Sequence, residues 1–508
     1  MTLRFFTLAF LIPSFAFSQA QTQSVPPASQ ATPLPLSGRA GQSGSVHAVE
    51  TPVPGLTSSV NTLNTSVQVE GPYQGSVPGS AKPFSGKLSL REAIERGLEF
   101  NLGTVGLTQA MRQAHGQMRM ARSSLLPNLS ADLRENVQQI NLRALGLRLS
   151  TPIPGFSIPT IVGPFNYFDL RSTLTQTVFD LTALHNYRSA QELVKANEAA
   201  LKDARDLVVY AVAGAYFQAV AAEGRVGSSR AQAQTAAALL KQTRDRRSVG
   251  LAADIDVNRS LVESQTAEQR VTTLENDLAK QKINLARLVG LPPTDTYTLD
   301  QSFPTSTSVD LAFDKAFSEA LDARADLQSA EAQVRAAERS EKAARAERLP
   351  SLAFSADYGA IGTNPAQSHG TFTVVGMLRV PIWNGGRTEG SIEQADAALA
   401  QRRAETQDLR GRIEADVRQA LLDIETTRKQ INVAGNNQKV ARQTLDLTKQ
   451  RFEAGIVDSV EVVQTQESVA AADFDYITSL FSYNLAKATL ARAMGNTEQN
   501  LARFVAMP

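Results

Sequence analysis

From residue 87 to residue 497 the chain is one unit written twice. RSSLLPNLSADL around Pro127 returns as RAERLPSLAFSAD around Pro350, and QTVFD (Gln176 to Asp180) returns as RVPIWN (Arg379 to Asn384). RRSVGLAADIDV around Gly250 returns as QRFEAGIVDSVEV around Gly455, and both copies close alike, in NLARLVG and TLARAMG. The later offset is 205 residues, measured from Gly250 to Gly455 and again from Gly290 to Gly495. A duplicated unit predicts a quasi-symmetric fold, with repeats at 87–299 and 300–497 and a C-terminal tail at 498–508.

Each copy holds a long run without proline, between Pro164 and Pro292 and between Pro381 and Pro508. Ala, Leu, Gln, Glu, Lys and Arg fill both, so helix is predicted throughout. Tyr187, Val194, Leu201, Val208, Ala215 and Ala222 recur every seven residues, with Ala190, Ala204 and Ala211 three positions on. The second copy repeats the pattern at Ile392, Leu399, Thr406, Ile413 and Ala420. This is a coiled-coil seam of small residues. A helix over 187–248 would run about 90 Å at 1.5 Å per residue, longer than a globular domain uses. Gly250 and Gly455 interrupt the runs at equivalent points and predict a turn that folds each run into a helical hairpin.

Ahead of each helical run the period changes to two. Phe168, Leu170, Leu174 and Val178 alternate with Tyr167, Asp169, Arg171, Thr173, Thr175 and Thr177. Phe372, Val374, Gly376, Leu378, Val380 and Ile382 do the same in the second copy. Leu129, Ala131 and Leu133, and Leu352, Phe354, Ala356 and Tyr358, supply the facing strands. Each repeat is thus predicted to give two strands with one apolar face.

The N-terminus bears on where such strands are used. Residues 1–20 place Arg4 before an apolar run from Phe5 to Phe17 and finish in Ser18-Gln19-Ala20, the pattern of a cleaved secretory signal peptide. The apolar run is shorter than the roughly 20 residues that cross a bilayer. The Ala-rich segment Val208 to Ala222 is short too, and Gln218 interrupts it. In an exported chain, strands with an apolar outer and a polar inner face suit a membrane β-barrel. Four strands cannot close one, because the smallest bacterial barrels have eight and a bilayer tolerates no open edge. The chain is therefore expected to oligomerise. Residues 21–86, rich in Pro, Ser, Gly and Gln, read as a disordered extension. The Pro- and Gly-rich link from Ser150 to Pro164 reads as a loop at an extracellular rim.

Other classes find little support. Lys and Arg number 51 against 50 for Asp and Glu, so no basic surface suggests a nucleic-acid partner. The absence of cysteine excludes disulfides, thiolate metal sites and a Cys-linked lipid. His47, His115, His185 and His369 have no ligand spacing, and no phosphate-binding loop occurs. An enzyme is not expected, nor is any cofactor or metal. Any active transport must draw its energy from another protein.

Arg451-Phe452-x-x-Gly455 with Glu461-Val462, then Tyr483-x-x-Ala486-x-x-x-Leu490-x-x-Ala493-x-Gly495, resembles the closing signature of TolC-type outer-membrane factors. Pro381-Ile382-Trp383-x-Gly385-Gly386 is similar to their strand-to-helix junction, and Ala215-Tyr216-Phe217 to a helix signature of their first repeat. The resemblance implies a mainly α fold with a membrane β-barrel portion. Three chains of four strands would close one twelve-stranded outer-membrane barrel, continued by a long periplasmic α-helical barrel. It implies a homotrimer set in outer-membrane lipid, a passive exit channel for small toxic compounds. Its partners would be a periplasmic adaptor (membrane fusion) protein and an inner-membrane pump. The exit duct of a type I protein secretion system shares this architecture, and a periplasmic coiled-coil scaffold without a pore is the rival of another class. The hairpin tips, Val249-Gly250-Leu251 and Ala454-Gly455-Ile456, would contact the adaptor. By position, Asp256 and Glu461 would form the acidic periplasmic gate. Gln464 stands at a further acidic position, Val457 at the basic partner position and Phe452 at the tyrosine position, so the family's locking network is not reproduced there.

Overall fold

The structure, a computed structural model, describes residues 29–34, 44–52, 60–61, 63–77, 84, 86–144, 146, 159–294, 296–300, 309 and 311–505. The signal peptide and residues 150–158 of the rim loop lie outside them. The chain opens with a hairpin of β1 (Val46–Pro52) and β2 (Leu63–Val69), then a short strand β3 (Lys87–Leu88). The first repeat follows as α1 (Leu90–Phe100), α2 (Leu102–Ser123), β4 (Asn128–Asn141), β5 (Ile161–Phe179), α3 (Leu181–Ser248) and α4 (Asp254–Leu288). After β6 (Thr298–Leu299) the order recurs as α5 (Phe313–Ala323), α6 (Ala325–Ala346), β7 (Ser351–Gly362), β8 (His369–Arg379), α7 (Arg387–Glu453) and α8 (Ser459–Met494), closed by α9 (Thr497–Phe504). Corresponding helices match closely: α1 and α5 have 11 residues each, α2 and α6 have 22, α3 and α7 have 68 and 67, α4 and α8 have 35 and 36.

The chain divides into two compact units, one drawn from residues 1–33, 117–188 and 339–395, the other from 34–116, 189–338 and 396–508. In the first unit β4, β5, β7 and β8 form one antiparallel sheet in that order. Register is set by the alternation. Leu129 pairs with Leu174, Leu174 with Ala356 and Ala356 with Val374, so one apolar row crosses all four strands. The parity one residue away carries Asp169, Arg171 and Asp357.

The second unit holds the main core. Val208, Val212, Tyr216 and Phe217 of α3 pack with Leu285 of α4, Ile413 and Val417 of α7, Leu485 and Leu490 of α8, and Leu501 and Phe504 of α9. Among the described residues α3 alone is long and apolar enough to cross a membrane, but 72% of its apolar stretch is buried inside the protein. It is a core helix. The seven-residue seam is the reason, since Val194, Ala204, Val208, Ala211 and Ala222, with Leu399, Thr406, Ile413 and Ala420, are all buried. Lying across this core, an ion cluster ties three regions of the chain. Arg492 of α8 reaches Asp203 of α3 at 2.6 Å, and Arg324 reaches Asp326 at 2.6 Å and Asp416 of α7 at 2.8 Å. Burial pushes the Asp326 carboxyl up, but hydrogen bonding and charge from Arg324 outweigh it and hold the group below its ordinary value.

The expectation that residues 21–86 are structureless is corrected where they are described. β1 and β2 pair over seven positions, Tyr73 is buried, and Val46, Val67 and Val69 pack on the main core. Those few apolar side chains suffice because the helices, not the extension, supply the complementary surface. Gly214 of α3 makes room, for a Cβ there would lie 2.4 Å from a methyl of Val67. In the C-terminal tail, α9 buries Leu501 and Phe504.

Tyr216, part of the Ala-Tyr-Phe signature, is the pin between the helical core and the β3–β6 pair. Its hydroxyl donates toward the carbonyls of Leu88 and Asp300, both at 3.1 Å. Tyr216→Phe removes this donor while the Leu88 carbonyl keeps the Asp300 N–H at 3.2 Å, and should cost about 0.5–1.5 kcal/mol. The expected outcome is a lowered thermal midpoint of the purified protein with secondary structure retained by circular dichroism.

Candidate functional site

The sheet inverts the usual rule of burial. Phe372 is 77% exposed and Leu129 75%, and Leu133, Val374, Leu378 and Tyr358 of the same face are also exposed. On the opposite face Asp169, Ser355 and Asp357 are buried, and Arg171 joins Asp169 at 3.3 Å and also Asp357. A water-soluble sheet would turn these faces the other way. Phe168 to Val178 spans ten residue steps, ~33 Å along a strand, and a barrel tilt near 40° projects this to ~25 Å, the height of the apolar band of outer-membrane barrels. Trp383 and Ile382 stand almost fully exposed at the strand-to-helix junction, with Tyr358 and Phe372 toward the other end of the strands. Such aromatic residues mark the two interfaces of a membrane barrel. The outer strands β4 and β8 each pair on one side only.

The hairpin tips are built twice by the same chemistry. Gly250 and Gly455 take φ of +79° and +75°, which a side chain resists. At the first tip the Gly250 N–H donates to the Arg247 carbonyl and the Leu251 N–H to that of Arg246, both at 2.9 Å. At the second, Gly455 donates to Phe452 at 3.0 Å and Ile456 to Arg451 at 2.9 Å. These paired bonds satisfy the last carbonyls of α3 and α7. Val249, Leu251 and Ile456 project into solvent, and Ala454 is exposed beside them.

The gate candidates separate into two groups. Asp256 bonds back to the Ala253 N–H at 3.3 Å and accepts from Ser459 Oγ at 3.2 Å, joining the start of α4 to the start of α8. Glu461 sits in the first turn of α8, where Asp458 caps its N–H at 3.2 Å and Arg451 pairs with its carboxylate at 2.9 Å. Gln464 is exposed one turn further along. Phe452 and Val457, by contrast, pack in an apolar cluster with Leu239, Leu445, Val462 and Val469. Phe452 is buried, so its side chain is committed to the hairpin interior.

Two arginines outside the set of gate candidates, Arg246 and Arg451, do much of the joining at the tips. Arg246 donates to the carbonyls of Phe452 and Glu453 at 2.8 and 3.1 Å, and its guanidinium lies 4.4 Å above the Phe452 ring. Arg451 gives Glu461 the basic partner that Val457 lacks. An Arg in the last turn of a helix is ordinary dipole compensation, so Arg246 carries no distinguishing signal, and Arg451 stands in the closing signature without its partner being legible there. Arg246→Ala removes the bridge from the end of α3 to the end of α7, worth about 1–3 kcal/mol for bonds from a charged donor. Larger or more frequent openings in single-channel recordings are expected, with thermal stability of the rest of the chain little changed.

A sheet with one exposed apolar face, one polar face and, among the described residues, unpaired edges, in a chain whose helical hairpins are about 100 Å long on the α3 side, defines a channel-type protein of the outer membrane. The outer membrane efflux protein family matches residues 107–291 and 316–496, and the chain belongs to it. It is an outer-membrane exit channel for efflux that extends into the periplasm. Among relatives, it is 26% identical over 412 residues to the pyoverdine export outer membrane protein OpmQ of Pseudomonas aeruginosa, covering 77% of this chain and 83% of the relative. The fold is that of the CmeC outer membrane channel of Campylobacter jejuni, with a TM-score of 0.71 at 16% identity over 85% of this chain and 94% of the other. The outer membrane protein VceC of Vibrio cholerae gives a TM-score of 0.66 at 19% identity, covering 80% and 96%. These relatives are transport proteins rather than enzymes. No cluster of His, Cys, Asp or Glu suited to a metal occurs among the described residues.

Proposed function

We propose that three copies of the chain join edge to edge, β4 of one to β8 of the next, to close a twelve-stranded barrel in the outer membrane. Three times four strands exceeds the minimum of eight for bacterial barrels. Because strand direction alternates across β4-β5-β7-β8, the two edges run opposite ways, and joining them keeps the whole barrel antiparallel. The long hairpins continue it as a periplasmic duct. Small toxic compounds pass through passively, handed over by an inner-membrane pump and a periplasmic adaptor that seats on the tips around Gly250 and Gly455. The observation that carries this reading is the inverted sheet, whose apolar face has no use in a soluble scaffold. A relative that exports pyoverdine, a small molecule, supports efflux over protein secretion.

At the tips, threefold symmetry would turn Asp256 and Glu461 into rings of three carboxylates each. At about 7 Å, one pair of like charges repels by roughly 0.6 kcal/mol in bulk water and several-fold more in a narrow pore. Such rings draw cations and resist tight closure, while the exposed Arg451–Glu461 pair offsets this by only about 0–1 kcal/mol.

The experiment has two parts. Deleting the gene should raise intracellular accumulation of small toxic compounds and leave secreted proteins unchanged. The reverse pattern would support protein secretion instead. Gly455→Pro should reproduce the accumulation phenotype and reduce adaptor recovery in pull-downs, since a fixed negative φ misshapes the turn. In planar bilayers, Glu461→Gln should weaken cation preference and block by multivalent cations. Unchanged selectivity and block would make Glu461 plain solvated surface.

A further inference from the structure

In the unit that holds the sheet, residues 29–33 cross the helix ends as an extended segment held by four hydrogen bonds. Each of the four is made to its backbone. Asn186, near the start of α3, accepts from the Thr32 N–H at 3.1 Å and donates from its amide to the Gln30 carbonyl at 2.6 Å. Glu347, just past α6, accepts from the Ala31 N–H at 2.7 Å. Ser340 of α6 donates to the Thr32 carbonyl at 3.0 Å. An extended chain presents successive N–H groups to opposite sides, so Asn186 reads residues 30 and 32 from one side and Glu347 takes residue 31 from the other. A primary amide that pairs with both groups of a peptide backbone acts like a neighbouring strand. It binds the segment without reading its side chains.

The segment's composition suits this role. Pro26, Pro27, Pro33 and Pro35 flank the docked residues, while the two N–H groups the cleft uses belong to Ala31 and Thr32. Proline removes a donor and restricts its preceding residue to extended conformations, so Thr32 is shaped for the cleft before it binds. A proline at 31 or 32 would delete a bond. What reads as low-complexity linker is therefore compatible with docking, because a stiff, pre-extended peptide loses little entropy when bound.

The cleft also reaches beyond one helix. The second carboxylate oxygen of Glu347 lies 3.4 Å from the Thr388 hydroxyl of α7, and Thr388 in turn accepts from Asn384 at 2.5 Å. Asn186 belongs to the first repeat, and Ser340, Glu347 and Thr388 to the second. We propose that this cleft is a peptide site that reads backbone, and that residues 29–33 of the same chain are its occupant, a strap tying the first turns of α3 to α6 and α7. Side chains in the strap are then free to vary, whereas the N–H groups at 31 and 32 are not.

Hydrogen exchange on the full-length protein tests this directly. The amides of Ala31 and Thr32 should exchange at least about tenfold more slowly than in a free peptide of residues 26–36. Asn186→Ala should return Thr32 toward the free rate. A second arm uses a chain lacking residues 29–33, probed with the same peptide labelled for anisotropy. The native peptide should bind, and a version with its non-proline residues scrambled should bind with similar affinity. N-methylation at Ala31 and Thr32 should weaken binding at least about tenfold. Free-peptide exchange at both amides overturns the proposal, as does a scrambled peptide that fails where the native one binds. If the shortened chain does not fold, the exchange measurement decides alone.

Discussion

A bilayer offers no water to satisfy a strand edge, and the rest of this molecule follows from that constraint. Each unpaired N–H or C=O in hydrocarbon costs several kcal/mol, and β4 and β8 each leave one edge unpaired among the described residues. In the proposed trimer the neighbouring copies supply that pairing. The inverted faces add to this, since Leu129, Phe372 and Leu378 lie exposed while Asp169 and Asp357 are covered. In the proposed barrel such a sheet has lipid on its apolar face, water on its polar face and neighbours at both edges.

The helices answer a different demand, that of length. Helices of 68 and 67 residues cannot stand on propensity, and they are held where small residues let them approach closely. Ala204, Ala211 and Ala420 are almost wholly buried, and the bulk of the core is concentrated around Tyr216, Phe217 and Leu485. At the hairpin tips the demand changes again, to turns that keep their shape. Positive φ at Gly250 and Gly455 fixes the turns. Near the tips the two hairpins of one chain share an apolar cluster of Leu239, Leu445, Phe452, Val462 and Val469, and beyond it they meet through polar contacts, Arg246 to the end of α7 and Ser459 to Asp256. Joints of that kind can be broken and remade at modest cost.

Much of this was legible in the residues, because repetition and period are properties of sequence alone. Seven-residue spacing located the buried seams, period two located the four strands and their faces, and two glycines located the turns. Less legible were contacts whose partners are distant in sequence. The β1–β2 hairpin reads as linker because its stability comes from α3, and the Gly214–Val67 approach leaves no trace in either segment alone. The strap at 29–33 is held through its backbone, which no side-chain pattern can announce. That Phe452 is buried and Val457 partly buried in one apolar cluster is not legible from their position in the motif, and the pairing of Arg451 with Glu461 depends on a turn geometry invisible to spacing.

The chain contains no cysteine, so introduced pairs can report strand neighbours without background. Ala131→Cys on β4 can be combined in turn with Phe372→Cys, Val374→Cys, Gly376→Cys or Leu378→Cys on β8, all on the outward face. Within one copy these strands are separated by β5 and β7, beyond the reach of a disulfide. Oxidation in the outer membrane followed by non-reducing electrophoresis should give, for at least one pair, a ladder that stops at three chains. A ladder that runs past three chains, or no cross-link from any pair, would contradict closure of the barrel by three copies.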